Sequence, residues 1–238
     1  MANAYYEPGE QRAARVSALF GRIAPRYDLI NDLQSFGLHR LWKRRLVSLA
    51  EPKPGARALD VCCGTGDLAF ALARRGAEVV GLDFSEPMLA VARRRAESSS
   101  PNAPQFIRGD ALRVPFPDNS FDIVTVGYGL RNLAQWEDGL KEMLRVAKPG
   151  ARLLALDFGK PVNALWRAAY FAYLRACVPV LGLLFARDAA AYAYILESLR
   201  HFPAQHGIAA KLRELGCRDV RVFEPLGGVM GLNCAVKP

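Results

Sequence analysis

The chain is poor in the residues that build metal sites and disulfide frameworks. It carries three histidines and five cysteines in 238 residues. The cysteines, Cys62, Cys63, Cys177, Cys217 and Cys234, form no CxxC pair and no other metal-ligand spacing. Their number is odd, and Cys62 and Cys63 end an apolar run, where buried free thiols are expected rather than ligands, which fits a reducing cytosol. His201 and His206 stand five positions apart, the wrong interval for two ligands on one helical face, so no metal is expected. Long hydrophobic runs are also missing. The uncharged stretch Ala176 to Ala186 lies between Arg175 and Arg187, contains Pro179, and falls well short of the roughly 20 residues that cross a bilayer. The N-terminal "MANAYYEPGEQRAARV" has no apolar centre, so no signal peptide is read and a cytoplasmic location is expected. No repeat or low-complexity tract is visible.

Acidic residues are outnumbered, 23 against 32 basic ones, leaving a net charge of +9. Such an excess suits an anionic partner, a nucleic acid or a phospholipid surface, or else a solvated arginine-rich exterior. With half its residues apolar and under a quarter charged, the chain is expected to fold around a substantial core.

Residues 9 to 49 show helical spacing, with Val16, Leu19, Phe20 and Ile23 and then Leu41, Leu46 and Val47 on apolar faces. "EPKPG" at Glu51 to Gly55 closes that block. Strand and helix then alternate: strands over Arg57 to Cys62, Glu78 to Leu82, Gln105 to Arg108, Phe121 to Val126 and Leu153 to Phe158, with helices over Asp67 to Arg75, Pro87 to Glu97 and Trp136 to Val146. A further helix at Gln205 to Leu215 precedes strands at Arg218 to Phe223 and Val229 to Val236. The alternation predicts a mostly parallel sheet covered on both faces. The apolar, aromatic stretch of about 162 to 202 interrupts it as a helical insertion after the fifth strand. The division expected is an N-terminal helical cap, 1–50, and a catalytic domain, 51–238.

The chemistry starts at "DVCCGTGDLA". Gly64, Thr65, Gly66 and Ala69 match G-x-G-x-x-G/A between a strand and a helix, where glycines let a ligand approach main-chain N–H groups at a helix start. Asp83 at the end of the second strand can accept two hydrogen bonds from ribose hydroxyls, with Ser85 left to cap the next helix. Asp110 after the third strand can bind an adenine amino group. The glycines and Asp83 suit NAD enzymes and methyltransferases alike. The blocks "VPFPDNSFD" and "KPG" have no regular place in an NAD enzyme.

Taken with "FGRIAPRYDLINDLQSFGLHRLWKR", "GYGLRN", "EMLRVAKPG" and "AYILESLRHFP", these blocks make the chain resemble the quinone C-methyltransferases of menaquinone and ubiquinone biosynthesis, over almost everything after residue 10. "LDFGKP" and "GGVMG" resemble the naphthoquinone branch, which includes the phylloquinone enzymes. The resemblance implies an α/β, Rossmann-like class I fold with a seven-stranded sheet, S-adenosyl-L-methionine as cofactor and S-adenosyl-L-homocysteine as product. It implies C-methylation of demethylmenaquinol, with a benzoquinol of the ubiquinone route or demethylphylloquinol as alternatives.

On the same resemblance, Asp60, Gly64, Thr65, Gly66, Asp83, Phe84, Met88, Asp110, Ala111 and Gly127 would hold the cofactor. Arg131 would stabilise a phenolate with Asn132 orienting it, unless Arg131 merely pairs with Asp157 or Asp28. His39 and Asp157 are the two candidates for the proton acceptor. Tyr27, Asp28, Asn31 and Tyr128 would close over the substrate. The apolar insertion would wall a pocket for a prenyl tail and rest on an anionic membrane through Arg167, Arg175 and Arg187, or else form a core insert or a homodimer face. A nucleic-acid methyltransferase is disfavoured, since no (D/N)PPY-like tetrad is present and "GYGLRN" occupies the catalytic loop.

Overall fold

A computed structural model of the chain describes residues 12–24, 27–98, 102–186 and 189–238. Arg26 and Arg187 lie outside the described residues. The helical N-terminal block is three helices, α1 (Arg12–Ile23), α2 (Tyr27–Ser35) and α3 (Leu38–Ala50). Gly37, at φ +74, turns the chain from α2 into α3, and Glu51 in a left-handed conformation ends α3 at the "EPKPG" block.

Seven strands follow: β1 (Arg57–Val61), β2 (Glu78–Asp83), β3 (Gln105–Arg108), β4 (Phe121–Gly127), β5 (Ala147–Phe158), β6 (Arg218–Phe223) and β7 (Met230–Val236). Their order is β3-β2-β1-β4-β5-β7-β6, with β7 antiparallel to both neighbours and every other pair parallel. The parallel strands are linked by α4 (Asp67–Ala73), α5 (Glu86–Glu97) and α6 (Trp136–Val146), and α9 (Ala204–Glu214) leads into β6. The insertion forms two helices, α7 (Ala164–Ala186), with Pro179 inside it, and α8 (Ala189–His201). Among the described residues no helix is long and apolar enough to cross a membrane.

Two apolar cores lie on the two faces of the sheet. Along β5, Leu153 and Ala155 join the core under α1, α6, α7, α8 and α9, while Leu154 and Leu156 join the one under α3, α4 and α5. This is the two-residue alternation of a strand buried on both sides. The fifth strand begins six residues earlier than its aliphatic run, which starts at Leu153, suggests. Ala147 pairs with Phe121 before a register shift, and Gly150 at φ +79 carries the "KPG" segment round it. The first strand is one residue shorter than expected, because Cys62 takes φ 55.

Strand order reverses between β1 and β4, so the loops leaving their C-terminal ends diverge into a crevice, the position where open α/β sheets bind ligands. Each strand is followed directly by a non-glycine residue in the left-handed region, Cys62 at φ 55 after β1 and Tyr128 at φ 60 after β4. That costs of order 1–3 kcal/mol per residue and is concentrated where functional sites lie. The two loops touch closely: a Cβ on Gly129 would stand 2.5 Å from Cys62 Cβ.

Candidate active site

Two cavities open from the crevice. The first lies over the ends of β1, β2 and β4. Gly64, Asp83, Phe84, Met88, Asp110, Ala111, Gly127 and Tyr128 line it, joined by Cys62 and Asn132. Asp83 shapes its floor: one carboxylate oxygen accepts the Gly64 N–H at 2.8 Å and the other accepts the Ser85 N–H at 2.8 Å. The acid thus clamps the glycine turn to the start of α5. Burial pushes its carboxyl up, and these backbone donors offset the rise. Ser85 occupies the N-cap position as expected, but its hydroxyl makes no cap bond and has no hydrogen-bond partner among the described residues.

Three of the residues expected on the cofactor do not line this cavity. Asp60 is buried, accepts the Thr125 hydroxyl at 2.8 Å, and has its carboxyl pushed up to about 7 by desolvation. Thr65 donates its hydroxyl to Asp28 at 3.0 Å. Gly66, at φ +88, packs against Phe106 and Phe70, and a Cβ there would come within 2.7 Å of the Phe106 ring. The glycines at 64 and 66 thus have different duties, one facing the cavity and one allowing the close approach of a ring.

Asp28 ties the N-terminal helices to this turn through a network the sequence did not announce. Arg95 reaches from α5 to the Thr65 carbonyl at 2.8 Å, to Asp67 at 2.8 Å and to Asp28 at 3.4 Å, and its guanidinium lies over the Phe70 ring. Lys43 of α3 donates to the second oxygen of Asp67 at 2.8 Å. Asp67 is held well below the usual carboxylate range by these two cations, against the opposing push of its burial.

The second cavity, of about 330 Å³, is bounded by α1, α2, α3, α7, α8 and the ends of β4 and β5. Its lining is aromatic and aliphatic, with Trp42, Phe158, Trp166, Tyr170, Tyr173 and Tyr194 prominent. Phe20 and Tyr128 line both cavities, so these two residues mark the place where the contents of one would meet those of the other. Asn31 lines the second cavity, and Tyr27 opens α2 with its side chain outside those described.

Arg131 supplies a buried cation to this apolar wall. It is set in a short 3-10 turn, Leu130–Asn132, directly after β4. Its Nη1 donates to Asp157 at 2.8 Å and to the Tyr128 carbonyl at 2.7 Å, and the guanidinium lies 4.8 Å over the Phe158 ring. The two side chains of the pair are 4% and 3% exposed. Of the two partners left open for Arg131, the structure selects Asp157 and not Asp28. Asp157 lines neither cavity. Its oxygens are taken by the Arg131 side chain, the Phe158 N–H at 2.8 Å and the Arg131 N–H at 3.4 Å. Burial pushes its carboxyl up and Arg131 pulls it down.

His39 lines the second cavity and is buried in its wall. Its Nε2 lies 2.8 Å from Asp32, and its Nδ1 has no hydrogen-bond partner among the described residues. Burial, with Lys43 nearby, lowers its pKa below 6.5 against the opposing effect of Asp32. Asp32, missed in the sequence, is seven positions away across the Gly37 turn and follows no helical period. Among the described residues no cluster of His, Cys, Asp and Glu could hold a metal ion. Of the two thiols expected to be buried, Cys63 is buried and Cys62 is half-buried and lines the first cavity; Cys217 and Cys234 are buried and Cys177 is exposed.

A model of the ubiE/COQ5 methyltransferase family matches residues 8–237. The chain is 42% identical over 235 residues to a ubiquinone/menaquinone biosynthesis C-methyltransferase, UbiE, of Ectopseudomonas mendocina, covering 97% of this chain and 92% of that protein. It is 41% identical to the protein of the same name from Azotobacter vinelandii, covering 97% and 93%. Among solved structures, an S-adenosylmethionine-dependent methyltransferase of Aquifex aeolicus aligns at TM-score 0.63 and 19% identity over 89% of this chain and 98% of its own. One from Thermotoga maritima aligns at TM-score 0.68 and 18% identity, over 93% and 99%. These last two likenesses concern the fold.

Proposed function

This chain belongs to the ubiE/COQ5 methyltransferase family of S-adenosylmethionine-dependent C-methyltransferases, and from that premise we propose that it methylates a ring carbon of a prenylated quinol. The observation that carries the reading is the pair of cavities meeting at Phe20 and Tyr128, one floored by a glycine turn and a clamped aspartate, the other apolar with one buried guanidinium. The sequence favours demethylmenaquinol. The names of the relatives join the ubiquinone and menaquinone routes, so the acceptors proposed are demethylmenaquinol and its benzoquinol counterpart.

S-adenosylmethionine supplies an activated methyl group on a sulfonium. The first cavity suits it: Gly64 exposes main chain, Asp83 offers carboxylate oxygens to a ribose, and Met88 and Phe84 present apolar surface to an adenine. Asp60, Thr65 and Gly66 support that cradle from behind. In the second cavity a neutral ring carbon is a weak nucleophile, and loss of the neighbouring hydroxyl proton loads charge onto it. Arg131, a permanent cation in a dry wall, stabilises the resulting phenolate. Asp157 and the Tyr128 carbonyl hold the guanidinium in place, and the Asn132 amide, which donates to the same carbonyl at 2.9 Å, fixes the turn. With Asp157 turned away from the cavity, His39 is the proton acceptor: its ring is the one imidazole or carboxylate among the described lining residues.

The helices α1 to α3 act as the cap over both cavities, drawn down by the Asp28, Asp67, Arg95 and Lys43 network. At the mouth of the second cavity Phe36, Trp166 and Leu226 combine lining and exposure, and Leu165 beside them is 82% exposed. A prenyl tail leaving there would pass between apolar side chains, with Arg167 and Arg175 able to rest on anionic headgroups. Retention on anionic vesicles at low salt is expected, and its absence would remove the membrane contact. The function itself is tested by incubating the protein with labelled S-adenosylmethionine and short-tailed forms of both quinols under reducing conditions. Label in an acceptor is expected; label in neither would overturn the reading.

A further inference from the structure

We propose that Phe20 and Tyr128 hold the sulfonium of S-adenosylmethionine against their rings, so that the site grips the charged donor through a contact its neutral product cannot make. This rests on the cofactor cavity proposed above and adds to it the residues at its inner end. Both side chains are half-buried and line both cavities. A methyl group that leaves a donor in one cavity for an acceptor in the other has to cross at the place these two residues share. The donor sulfur is therefore assigned to that place, beside the end of β4.

A sulfonium there meets no carboxylate. Among the described residues the first cavity is lined by two acids, Asp83 and Asp110, and the second by none. Asp83 ends β2, two strands from β4 with β1 between them, which is about 10 Å at the usual strand spacing. Its oxygens already accept the Gly64 and Ser85 N–H groups. Asp110 follows β3, one strand farther out. Asp157, on β5 next to β4, lines neither cavity and is bound to Arg131 at 2.8 Å. Cys62 lines the first cavity, but burial pushes its thiol up and keeps it neutral. The counter-charge left to a cation at the end of β4 is the negative face of an aromatic ring, and a desolvated site strengthens that attraction.

Both residues are fixed in place. The Tyr128 N–H donates to the Leu156 carbonyl at 2.7 Å, and its own carbonyl accepts from Arg131 at 2.7 Å and from the Asn132 amide at 2.9 Å. Its ring lies 5.5 Å from the Phe158 ring, tilted by 57°. Lys43 stands 5.9 Å from the ring centroid, at the outer limit of a cation–π contact, but it is bound to Asp67 and lines neither cavity. Phe20 is carried by α1, which Val16, Leu19 and Ile23 anchor in the core. When the methyl leaves, the electron pair of its bond stays on sulfur, so the spent donor is an uncharged thioether. The rings then lose their electrostatic hold, while ribose and adenine keep the same neighbours. The contact thus favours uptake of fresh donor over retention of product.

The experiment is calorimetric binding of three ligands to the wild type, Phe20→Leu, Tyr128→Leu and Tyr128→Phe. The ligands are S-adenosylmethionine, S-adenosyl-L-homocysteine and sinefungin, which carries a charged amine where S-adenosylmethionine carries its methyl sulfonium. Each leucine variant should weaken the two charged ligands about three- to tenfold and leave S-adenosyl-L-homocysteine near its wild-type affinity. Tyr128→Phe keeps the ring and should keep the wild-type ratio of charged to neutral ligand. A role in packing alone would move all three ligands together, and binding of S-adenosyl-L-homocysteine itself shows each variant to be folded. An unchanged ratio in either leucine variant, whether the affinities fall together or stay put, would overturn the proposal, as would a Tyr128→Phe that behaves like Tyr128→Leu. If the ratio moves as expected but the wild type methylates neither quinol, it is the functional reading that fails; methylation with an unmoved ratio sinks this inference alone.

Discussion

Replacing Arg131 by Gln separates the two duties of the buried pair. At 2.8 Å, with both side chains nearly inaccessible, the guanidinium and the Asp157 carboxylate are each other's main solvation. Two unit charges about 4 Å apart attract by about 4 kcal/mol at an effective dielectric near 20, and removing one partner of such a pair typically costs about 3–5 kcal/mol. Arg131→Gln should therefore lower stability by that order. The loss should ease in acid: without the cation, burial raises the Asp157 carboxyl further above its unfolded value, so stability is retained at low pH and falls as pH rises. Asp157→Asn should cost a similar amount but keep the cation in the cavity. The variants should part company in turnover. Per folded molecule, Arg131→Gln should lose roughly 10²–10³ in kcat, the scale of one preorganised charge stabiliser, while Asp157→Asn should stay within about tenfold. The assay is methyl transfer to the quinol at saturating substrates, with folded fraction set by circular dichroism and cofactor affinity by calorimetry. A folded, cofactor-binding Arg131→Gln with wild-type kcat would refute the reasoning.

Three further outcomes are expected. Asp60→Asn should flatten the pH dependence of Tm. The folded carboxyl at about 7 keeps its proton where the unfolded one at 3.8 has lost it, so stability drains away between about pH 4 and 7 by up to the order of 4 kcal/mol; a Tm profile identical to the parent's would contradict this. Gly66→Ala should cost at least about 2 kcal/mol, from φ +88 and a Cβ 2.7 Å from the Phe106 ring, and urea unfolding with an unchanged midpoint would show the turn to be looser than described. Arg95→Ala should weaken S-adenosylmethionine binding a few-fold with kcat nearly intact, since the half-exposed network is worth about 1 kcal/mol; calorimetry showing equal affinity would remove the latch from the account.

The sheet and its crossings were legible because each parallel strand is a β-branched or aliphatic run followed by a helical period, and the glycine turn marks where the first of them breaks. The edges were less so. The start of β5 hides in "AKPG", where proline and glycine speak for a turn while the backbone pairs through a bulge. Single-residue departures such as Cys62 and Tyr128 at positive φ are set by the crossing of two loops, which no local period records. At the site, Gly64, Asp83, Asp110, Ala111 and Gly127, at or just after strand ends, and Met88 of α5 line one cavity. Asp60, Thr65 and Gly66 sit in the same motif yet line neither cavity, because Asp60 is tied to Thr125 across the sheet, Thr65 to Asp28 of α2, and Gly66 packs on the Phe106 ring. Asp32, Lys43, Asp67 and Arg95 escaped notice since their partners lie on other helices, and charged residues on amphipathic faces read as solvated surface until the fold brings them together.

The decisive measurement is the site of methylation. With ¹³C-methyl S-adenosylmethionine and a reduced short-tailed demethylmenaquinol, carbon NMR of the product should show the label on the ring carbon beside the hydroxyl whose phenolate Arg131 is proposed to stabilise. Label found on the oxygen, or left on the cofactor while the quinol stays reduced, would contradict a cavity built to make that carbon nucleophilic.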